Sequence, residues 1–252
     1  MTSFYKIKMK IQKHKNFYFS FLEKNFTYKD KYYNSMNFAF NKGDSQKKVT
    51  NNRNFLSSIF GNKKIILVNQ IHSNKIHIFD GKPSKSIEAD GLISNKTNIM
   101  LAVLTADCAP VVIMGEQFYG ILHAGWRGLV LDIIKKGVYL MIKKGERLKD
   151  IKVFVGPHLG KESFEVRSDF ISNLSQYSKS EYFIENKNNR TFFNFTKMIK
   201  YKINELNIKN LKISTIDTYS NPKKFFSHRY YVKNGLKNCG RQISLVGINK
   251  KV

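Results

Sequence analysis

The stretch MLAVLTADCAPVVIMGEQFYGILHAGWRG, residues 100–128, contains three short apolar runs separated by turn residues. The runs cover residues 100–105, 110–114 and 118–123. Short apolar runs bounded by turn residues are typical of strands that are buried on both faces. This stretch therefore predicts buried strands with a thiol and a carboxylate in the break between the first two, and a histidine at the end of the third.

A helix is predicted directly downstream, from Gly128 to about Lys144, because its apolar residues recur at helical spacing and lysines fill the other face. Further strands are predicted at 16–22, 64–68, 75–79, 151–155, 212–217 and 241–248, and further helices at 45–59, 167–178 and 194–207. Strands and helices mix without strict alternation, so we expect an α/β (α+β) fold with mixed sheets, in a single domain over residues 1–252.

The chain is strongly basic, with 44 Lys and Arg residues against 18 Asp and Glu and a formal charge of +26. Only a few of these cations are arginines, the residue that grips phosphate and guanine bidentately, and the lysines are scattered from end to end. We therefore expect a solvated basic surface that attracts anionic substrates, and no nucleic-acid partner.

Two cysteines, Cys108 and Cys239, are too few for a secreted scaffold held by disulfides. No apolar run approaches the roughly 20 residues that span a bilayer, and the first 21 residues lack the apolar stretch of a signal peptide. The sequence predicts a cytoplasmic protein with no membrane partner.

Three candidate metal ligands lie at predicted strand ends. His72 follows the strand 64–68, Cys108 lies in the break between two strands, and His123 ends the third. A catalytic zinc takes three protein ligands, with His and Cys preferred, and leaves one position open for water. The spacings match no short metal motif, however. Two other interpretations therefore stay open: Cys108 could be a small buried apolar residue, and His123 could be a core histidine.

The predicted helix after His123 offers a second kind of site. Free amide groups and the positive dipole end at its start suit a phosphate, and Arg127 in the first turn would strengthen such a site. The alternative is a plain glycine-rich turn with a surface arginine, in which Trp126 is a core residue.

Several short segments together resemble the laccase-domain family, once called multicopper polyphenol oxidases and now understood as purine nucleoside phosphorylases with adenosine deaminase activity. The resemblance covers roughly residues 16–248. Its markers are Asn69-Gln70-Ile71-His72-Ser73, Ala89-Asp90-Gly91-Leu92, Leu104-Thr105-Ala106-Asp107-Cys108-Ala109-Pro110, His123-Ala124-Gly125-Trp126-Arg127-Gly128, Phe225-Phe226-Ser227-His228-Arg229 and Gly240-Arg241-Gln242. The order and spacing of these segments make the resemblance specific.

The resemblance implies that His72, Cys108 and His123 bind Zn²⁺, and that the sheets pack between outer helices. It also implies phosphorolysis of adenosine, inosine and methylthioadenosine to the free base and ribose 1-phosphate, together with deamination of adenosine. The implied partners are purine nucleosides and phosphate.

Further roles are hypotheses built on that resemblance. Asp107, next to the cysteine ligand, is a candidate for proton transfer, although it could equally hold loop amides. Candidate groups for holding substrate or phosphate are Asn37, Gln70, Arg127, His228 and Arg229.

Four positions depart from the family pattern. Ser20-Phe21-Leu22-Glu23 lacks a familiar arginine, His158 follows Gly156-Pro157 in place of cysteine, Asp217-Thr218 replaces a Cys-Thr pair, and Tyr230 follows Arg229 in place of a second arginine. The three ligand positions are retained, so these departures bear on substrate preference and rate.

Three rival interpretations remain. Cys108 and His123 could form the nucleophile and base of a metal-independent cysteine hydrolase or deamidase. A copper-dependent phenol oxidase would need several His-rich segments, which the sequence lacks. A basic nucleic-acid-binding protein would bind in a strongly salt-dependent way and would not need His72 or Cys108.

Overall fold

The computed structural model describes residues 10–28, 31–82, 86–177 and 179–248. Within these ranges the strands, in chain order, are β1 (Gln12–His14), β2 (Phe17–Phe21), β3 (Phe26–Tyr28), β4 (Lys31–Tyr33), β5 (Lys64–Ile66), β6 (Ile76–Ile78), β7 (Gly91–Ser94), β8 (Ile99–Thr105), β9 (Ala109–Met114), β10 (Tyr119–Ala124), β11 (Lys152–Val155), β12 (Glu165–Val166), β13 (Ile184–Lys187), β14 (Arg190–Phe193), β15 (Asn210–Ile213) and β16 (Gln242–Ile248). The α-helices are α1 (Gln46–Ile59), α2 (Trp126–Val130), α3 (Ile133–Lys143), α4 (Ser168–Ser175), α5 (Phe195–Asn204) and α6 (His228–Lys233).

Two large mixed sheets form the centre of the molecule. One has the strand order β1-β2-β16-β8-β5, and the other has the order β15-β11-β9-β10-β7-β6. Strands β8, β9, β10 and β16 are buried along nearly their whole length, which is why the first three are apolar almost throughout; β16 also buries Gln242 and Ser244. A three-stranded sheet, β12-β14-β13, and the β3-β4 hairpin complete the strand pairing of the described residues.

The two large sheets pack face to face, and helices cover their outer faces. Phe19, Val103 and Ile121 belong to the apolar cluster between the sheets. Helix α1 buries Leu56 against the outer face of the five-stranded sheet. Helices α2, α3 and α5 cover the outer face of the six-stranded sheet, where Met141 is fully buried. The mixed α/β fold with sheets between outer helices is thus confirmed.

The single helix predicted over 128–144 is wrong. The chain forms α2 and then α3, separated by Leu131 and by Asp132, whose φ of 58° lies in the left-handed region. Aspartate tolerates this conformation better than most residues, and its carboxylate accepts a hydrogen bond from Lys202 of α5 at 2.6 Å. The apolar spacing continues across the break because both helices cover the same sheet.

Most other predicted elements lie within a few residues of the observed ones. Helix α1 begins after Ser45, whose side chain accepts a hydrogen bond from the N–H of Lys48. The strand predicted at 212–217 lies earlier, at β15. The β13-β14 hairpin and α6 were not predicted. The ends of the predicted domain, residues 1–9 and 249–252, lie outside the described residues, so its extent over 1–252 stays a prediction. In the part of the chain that the structure describes, no helix has the length and apolarity needed to cross a membrane.

Candidate metal centre and substrate cavity

Three loops meet at one end of the two large sheets. The loop that carries His72 leads from β5 in the five-stranded sheet to β6 in the other, and the loop that carries Cys108 leads from β8 to β9 in the same way. His123 lies near the end of β10, opposite Pro110 of β9. The register of the β9-β10 pair therefore brings His123 beside Cys108, as the positions of both residues at strand ends predict.

The side chains of His72, Cys108 and His123 converge. One donor atom of each lies within 4.8 Å of the other two. The Cys108 Sγ atom is 3.9 Å from the Nε2 atom of His72, and the two imidazole rings have centroids 4.8 Å apart at an interplanar angle of 77°. A Cβ atom at Gly125 would lie 3.2 Å from the same sulfur, so glycine leaves room for the cluster. Two imidazoles and one thiolate form a donor set that suits zinc.

The electrostatics of the cluster favour a thiolate. Burial opposes ionisation of Cys108, but the positive charge of His123 and hydrogen bonds with both histidines lower its pKa to about 6. Burial also opposes protonation of His123, but the Cys108 thiolate and the Asp90 carboxylate raise the pKa of His123 to about 9. Because the thiolate is the form of cysteine that binds metals and attacks electrophiles, the arrangement is compatible with either chemistry.

Asp90, a fully buried residue just before β7, contacts both histidines. One carboxylate oxygen accepts a hydrogen bond from the Nδ1 atom of His123 at 2.8 Å, and the same carboxylate accepts the backbone N–H groups of residues 71–73. Burial opposes ionisation, but hydrogen bonds from His123 and Ser73 lower the pKa of Asp90 to about 2. The carboxylate therefore leaves Nε2 of His123 as the ring nitrogen that faces the cluster.

The cluster forms part of the wall of a cavity of about 570 Å³, within the size range of small-molecule sites. The positively charged side chains around it are those of Lys42, Arg229 and Arg241, with His228 beside them. The rings of Phe40 and Phe164 supply apolar, aromatic surface. The cavity thus combines cationic groups, aromatic rings and metal-binding donors.

Asp107 and Arg229 are linked to each other. The carboxylate of Asp107 accepts hydrogen bonds from the hydroxyl of Thr218 and from the backbone N–H of Arg229, each at 2.7 Å. The Arg229 guanidinium donates to the backbone carbonyl of Glu165 at 2.6 Å. Both residues line the cavity. Because both oxygens of Asp107 are occupied, the contacts favour a role in holding the first turn of α6 over proton transfer.

Two other predicted binding residues line the cavity. Although much of His228 is exposed there, the partial loss of water around it and the nearby charge of Arg241 lower its pKa. Gln70 also faces the cavity, but its amide group exchanges two hydrogen bonds of 2.8 Å with the backbone of Leu104 and so joins the His72 loop to β8.

The structure does not bring Asn37 or Arg127 to the cavity wall. Asn37 is 1% exposed, and its side chain bonds the backbone of Ala39 and Arg241. The Arg127 guanidinium is exposed and lies 4.4 Å from the centroid of the Trp126 ring, because the first turn of α2 directs it outward.

Three of the four departures from the family pattern do not line the cavity. Phe21 and Glu23 line a separate hollow of about 350 Å³. His158 is buried, contacts Thr196 at 2.9 Å, and has a pKa lowered by burial. Asp217 accepts hydrogen bonds from two backbone N–H groups and two serine hydroxyls. His158 and Asp217 thus hold loops, and none of these four residues lines the cavity with the metal-binding donors.

Asp90, Lys42, Arg241 and the two phenylalanines were not predicted as site residues. Asp90 and Arg241 do occur within the sequence markers 89–92 and 240–242. Their position in those markers was the available signal, but nothing in the local spacing shows which atoms they contact.

Comparison with known proteins identifies the family. A family model described as "Multi-copper polyphenol oxidoreductase laccase" matches residues 19–249. The chain belongs to this family. The laccase-like resemblance inferred from the sequence is thereby confirmed, although the copper in the family's description does not fix the ion of this chain.

Curated relatives of this laccase-like chain carry an enzyme name. A purine nucleoside phosphorylase of Rickettsia prowazekii is 31% identical over 226 residues, covering 88% of this chain and 92% of that protein. A purine nucleoside phosphorylase of Aquifex aeolicus is 31% identical over 166 residues, covering 65% of this chain and 75% of that protein.

Solved structures share the laccase-like fold. The hypothetical protein YfiH of Bacillus licheniformis superposes with a TM-score of 0.80 at 24% identity, over 93% of this chain and 94% of that chain. YlmD of Geobacillus stearothermophilus gives a TM-score of 0.75 at 21% identity, over 86% of each chain. At these identities the likeness concerns the fold alone.

Proposed function

We propose that this chain is a zinc-dependent purine nucleoside phosphorylase that also deaminates adenosine. The observation that carries the proposal is the His72–Cys108–His123 cluster in the wall of a cavity that also presents cationic and aromatic side chains. The names of the curated relatives support phosphorolysis as the main reaction. The deaminase activity rests on the family resemblance, so the experiment tests it separately.

Zinc is the proposed cofactor, held by His72, Cys108 and His123. The donor set of two imidazoles and one thiolate fits this ion, and such a set leaves a coordination position for a substrate or water. When bound, zinc supplies Lewis acidity close to the reacting groups. The low pKa of Cys108 supports metal binding because it supplies the thiolate without a large cost in free energy.

The proposed phosphate-holding groups are Arg229, Arg241, His228 and Lys42. Backbone carbonyl groups orient both guanidinium groups: Arg229 bonds Glu165, and Arg241 bonds Cys239 and Gly240. Each guanidinium keeps further N–H donors for an anion. This set replaces the helix start at Arg127, which lies away from the cavity.

The aromatic side chains of Phe40 and Phe164 are the proposed surface for the purine ring. The Arg53 guanidinium lies 4.3 Å from the Phe40 ring centroid, and the Arg229 guanidinium lies 5.4 Å from the Phe164 ring centroid. A cation–π contact therefore helps to hold each ring in place. Flat apolar walls suit a planar base, while the cationic groups hold the phosphate that attacks the ribose.

The proposed enzyme works in a reducing compartment, in accord with a cytoplasmic location. Both cysteines are free. Cys108 must stay reduced to bind the ion, because a sulfenic acid or a disulfide at this position would remove one of the three donors.

The direct test incubates the purified protein with adenosine, with and without phosphate, and separates the products by chromatography while zinc is assayed in the same sample. We expect adenine and ribose 1-phosphate only when phosphate is present, inosine from deamination without phosphate, and about one zinc per chain. His72→Ala should lose both the metal and the turnover. Arg127→Ala is the matched control, because its guanidinium lies outside the cavity, and it should retain both.

The other outcomes separate the rival interpretations. Stoichiometric zinc with no turnover of any purine nucleoside would support the proposed metal centre and contradict the proposed substrate class. Phosphorolysis without inosine would reject the deaminase activity alone. Hydrolysis of another substrate that survives chelation but is lost after thiol alkylation would favour Cys108 as a nucleophile with His123 as its base. Tight nucleic-acid binding that is indifferent to His72→Ala would favour the binding-protein interpretation.

A further inference from the structure

One buried carboxylate connects the two histidines of the candidate metal centre. Asp90 is 0% exposed and lies immediately before β7. Its backbone carbonyl accepts the backbone N–H of His123 at 2.7 Å, and its own N–H donates to the carbonyl of Lys75 at 2.8 Å. The backbone of Asp90 is thus fixed between β10 and the loop that carries His72.

The carboxylate oxygens of Asp90 divide the remaining contacts between them. The Oδ1 atom accepts hydrogen bonds from Nδ1 of His123 at 2.8 Å and from the backbone N–H of His72 at 3.0 Å. The Oδ2 atom accepts the backbone N–H of Ser73 at 2.6 Å, the hydroxyl of Ser73 at 2.8 Å and the backbone N–H of Ile71 at 3.3 Å. Five donors therefore converge on one buried carboxylate.

These contacts hold His72 in an unfavourable backbone conformation. Its φ of 58° lies in the left-handed region, which is costly for a residue with a side chain and persists only where surrounding contacts enforce it. Three successive N–H groups, those of residues 71–73, point at Asp90. Because His72 is itself exposed, packing contributes little to its position. Gln70 joins the same loop to β8, but the N–H groups on either side of His72 and its own N–H are held by the Asp90 carboxylate.

The same carboxylate fixes the ring of His123. Metal-binding histidines commonly donate their second ring N–H to a carboxylate, which sets the tautomer and the ring orientation. With Nδ1 bonded to Asp90, only Nε2 of His123 is available on the side of Cys108.

We propose that Asp90 is a positioning residue that holds His72 and His123 in their metal-binding arrangement before the ion arrives. This inference rests on the metal binding of the proposed function but not on its reaction. The loss of such a partner typically lowers metal affinity about 10- to 100-fold.

Asp217 supplies a matched control for a purely structural role. Its carboxylate also accepts two backbone N–H groups and two hydroxyls, from Gly160, Tyr219, Ser163 and Ser220, but it contacts none of the three candidate ligands. Asp217 is partly buried, whereas Asp90 is fully buried. If a carboxylate that accepts several hydrogen bonds merely stabilises the local fold, Asp90→Asn and Asp217→Asn should both leave metal binding unchanged.

The test measures Zn²⁺ affinity of the full chain by competition with a chromogenic chelator, and the visible absorption spectrum of the Co²⁺-loaded protein. For Asp90→Asn we expect a loss of affinity of about 10- to 100-fold and a changed cobalt spectrum, because the imidazole orientations change. For Asp217→Asn we expect the wild-type affinity and spectrum, even if its melting temperature falls.

Wild-type affinity and an unchanged cobalt spectrum in folded Asp90→Asn would overturn the inference. If Asp90→Asn does not fold, Ser73→Ala decides, because it removes one of the five donors from a partly exposed loop. It should lower Zn²⁺ affinity by about 2- to 10-fold, and unchanged affinity would refute the role. Failure of the wild-type chain to bind Zn²⁺ or Co²⁺ would instead refute the proposed metal centre.

Discussion

At the scale of single residues, the two cysteines have opposite environments. Cys108 lies between two histidines that lower its pKa to about 6. Cys239 is 7% exposed, and burial raises its pKa to about 11. Burial opposes ionisation of both thiols, and only Cys108 has histidines that reverse this effect, which makes Cys239 an internal reference for Cys108.

Iodoacetamide should therefore modify Cys108 of the metal-free protein long before Cys239, because the thiolate is the reactive form. The rate at Cys108 should rise with pH through about 6 and then level off, whereas Cys239 should stay unmodified well above neutral pH. Mass spectrometry of peptides from protein treated at a series of pH values measures both rates. Added Zn²⁺ should protect Cys108, and equal modification of the two cysteines would contradict the assignment.

The meeting of His72, Cys108 and His123 could be expected because each follows or ends an apolar run, and strand ends bring side chains to a common edge. Their selection as candidate ligands came from the family resemblance, because the spacing alone left core roles open for Cys108 and His123. Asp90 could not be assigned a role in this way. Its partners are 17 to 19 residues away in the His72 loop and 33 residues away at His123. Such contacts depend on the pairing of β7 with β10, which local sequence spacing does not specify.

At the scale of elements, a buried glutamate stabilises the turn between β9 and β10. Glu146 is 6% exposed, and its carboxylate accepts the backbone N–H groups of residues 116–118 at 2.6–2.7 Å. A Cβ atom at Gly115 would collide with this carboxylate, so glycine is needed there. The hairpin that brings Cys108 and His123 together is thus secured at its opposite end by a residue beyond α3.

Glu146→Gln should lower the free energy of unfolding by about 1–3 kcal/mol, because an amide offers one acceptor oxygen to three buried donors. Urea denaturation followed by circular dichroism measures this loss. Glu162→Gln, at a side chain that is 62% exposed, is the control and should change stability by less than about 0.5 kcal/mol. Equal effects of the two substitutions would show that the buried carboxylate adds nothing to the turn.

Helices and strands could be predicted best where the apolar residues follow a single pattern, either a continuous buried run or helical spacing. The apolar runs of β8, β9 and β10 and the amphipathic helices are of this kind, whereas the break at Asp132 depends on a contact with α5 that the spacing does not reveal. The β13-β14 hairpin was missed although Asn188 and Asn189, both with positive φ, form a turn pair that favours such hairpins. Its short, partly exposed strands carry little apolar signal.

At the scale of the whole molecule, the formal charge of +26 creates a positive field around a cavity that is itself lined by cations. Such a field raises the local concentration of anions and is screened by salt. The neutral nucleoside should be insensitive to it. The two substrates of the proposed reaction therefore differ in how they should respond to ionic strength.

Raising the concentration of potassium acetate from about 0.1 M to about 1 M shortens the Debye length from about 10 Å to about 3 Å. The KM for phosphate should rise severalfold, while the KM for inosine should stay nearly constant. Initial rates with one substrate varied and the other saturating give both constants. A rise in both constants together would point to a general effect of salt on the protein rather than to screening of the anion.

The position of β16 in the five-stranded sheet has a consequence for biosynthesis. This strand, residues 242–248, lies between β2 and β8, although those two strands are made far earlier. Until it leaves the ribosome, β2 and β8 both present unpaired backbone edges, and apolar residues of the inter-sheet core stay uncovered. The nascent chain therefore cannot complete this sheet before β16 has been made, and until then its uncovered apolar surface can associate with other chains.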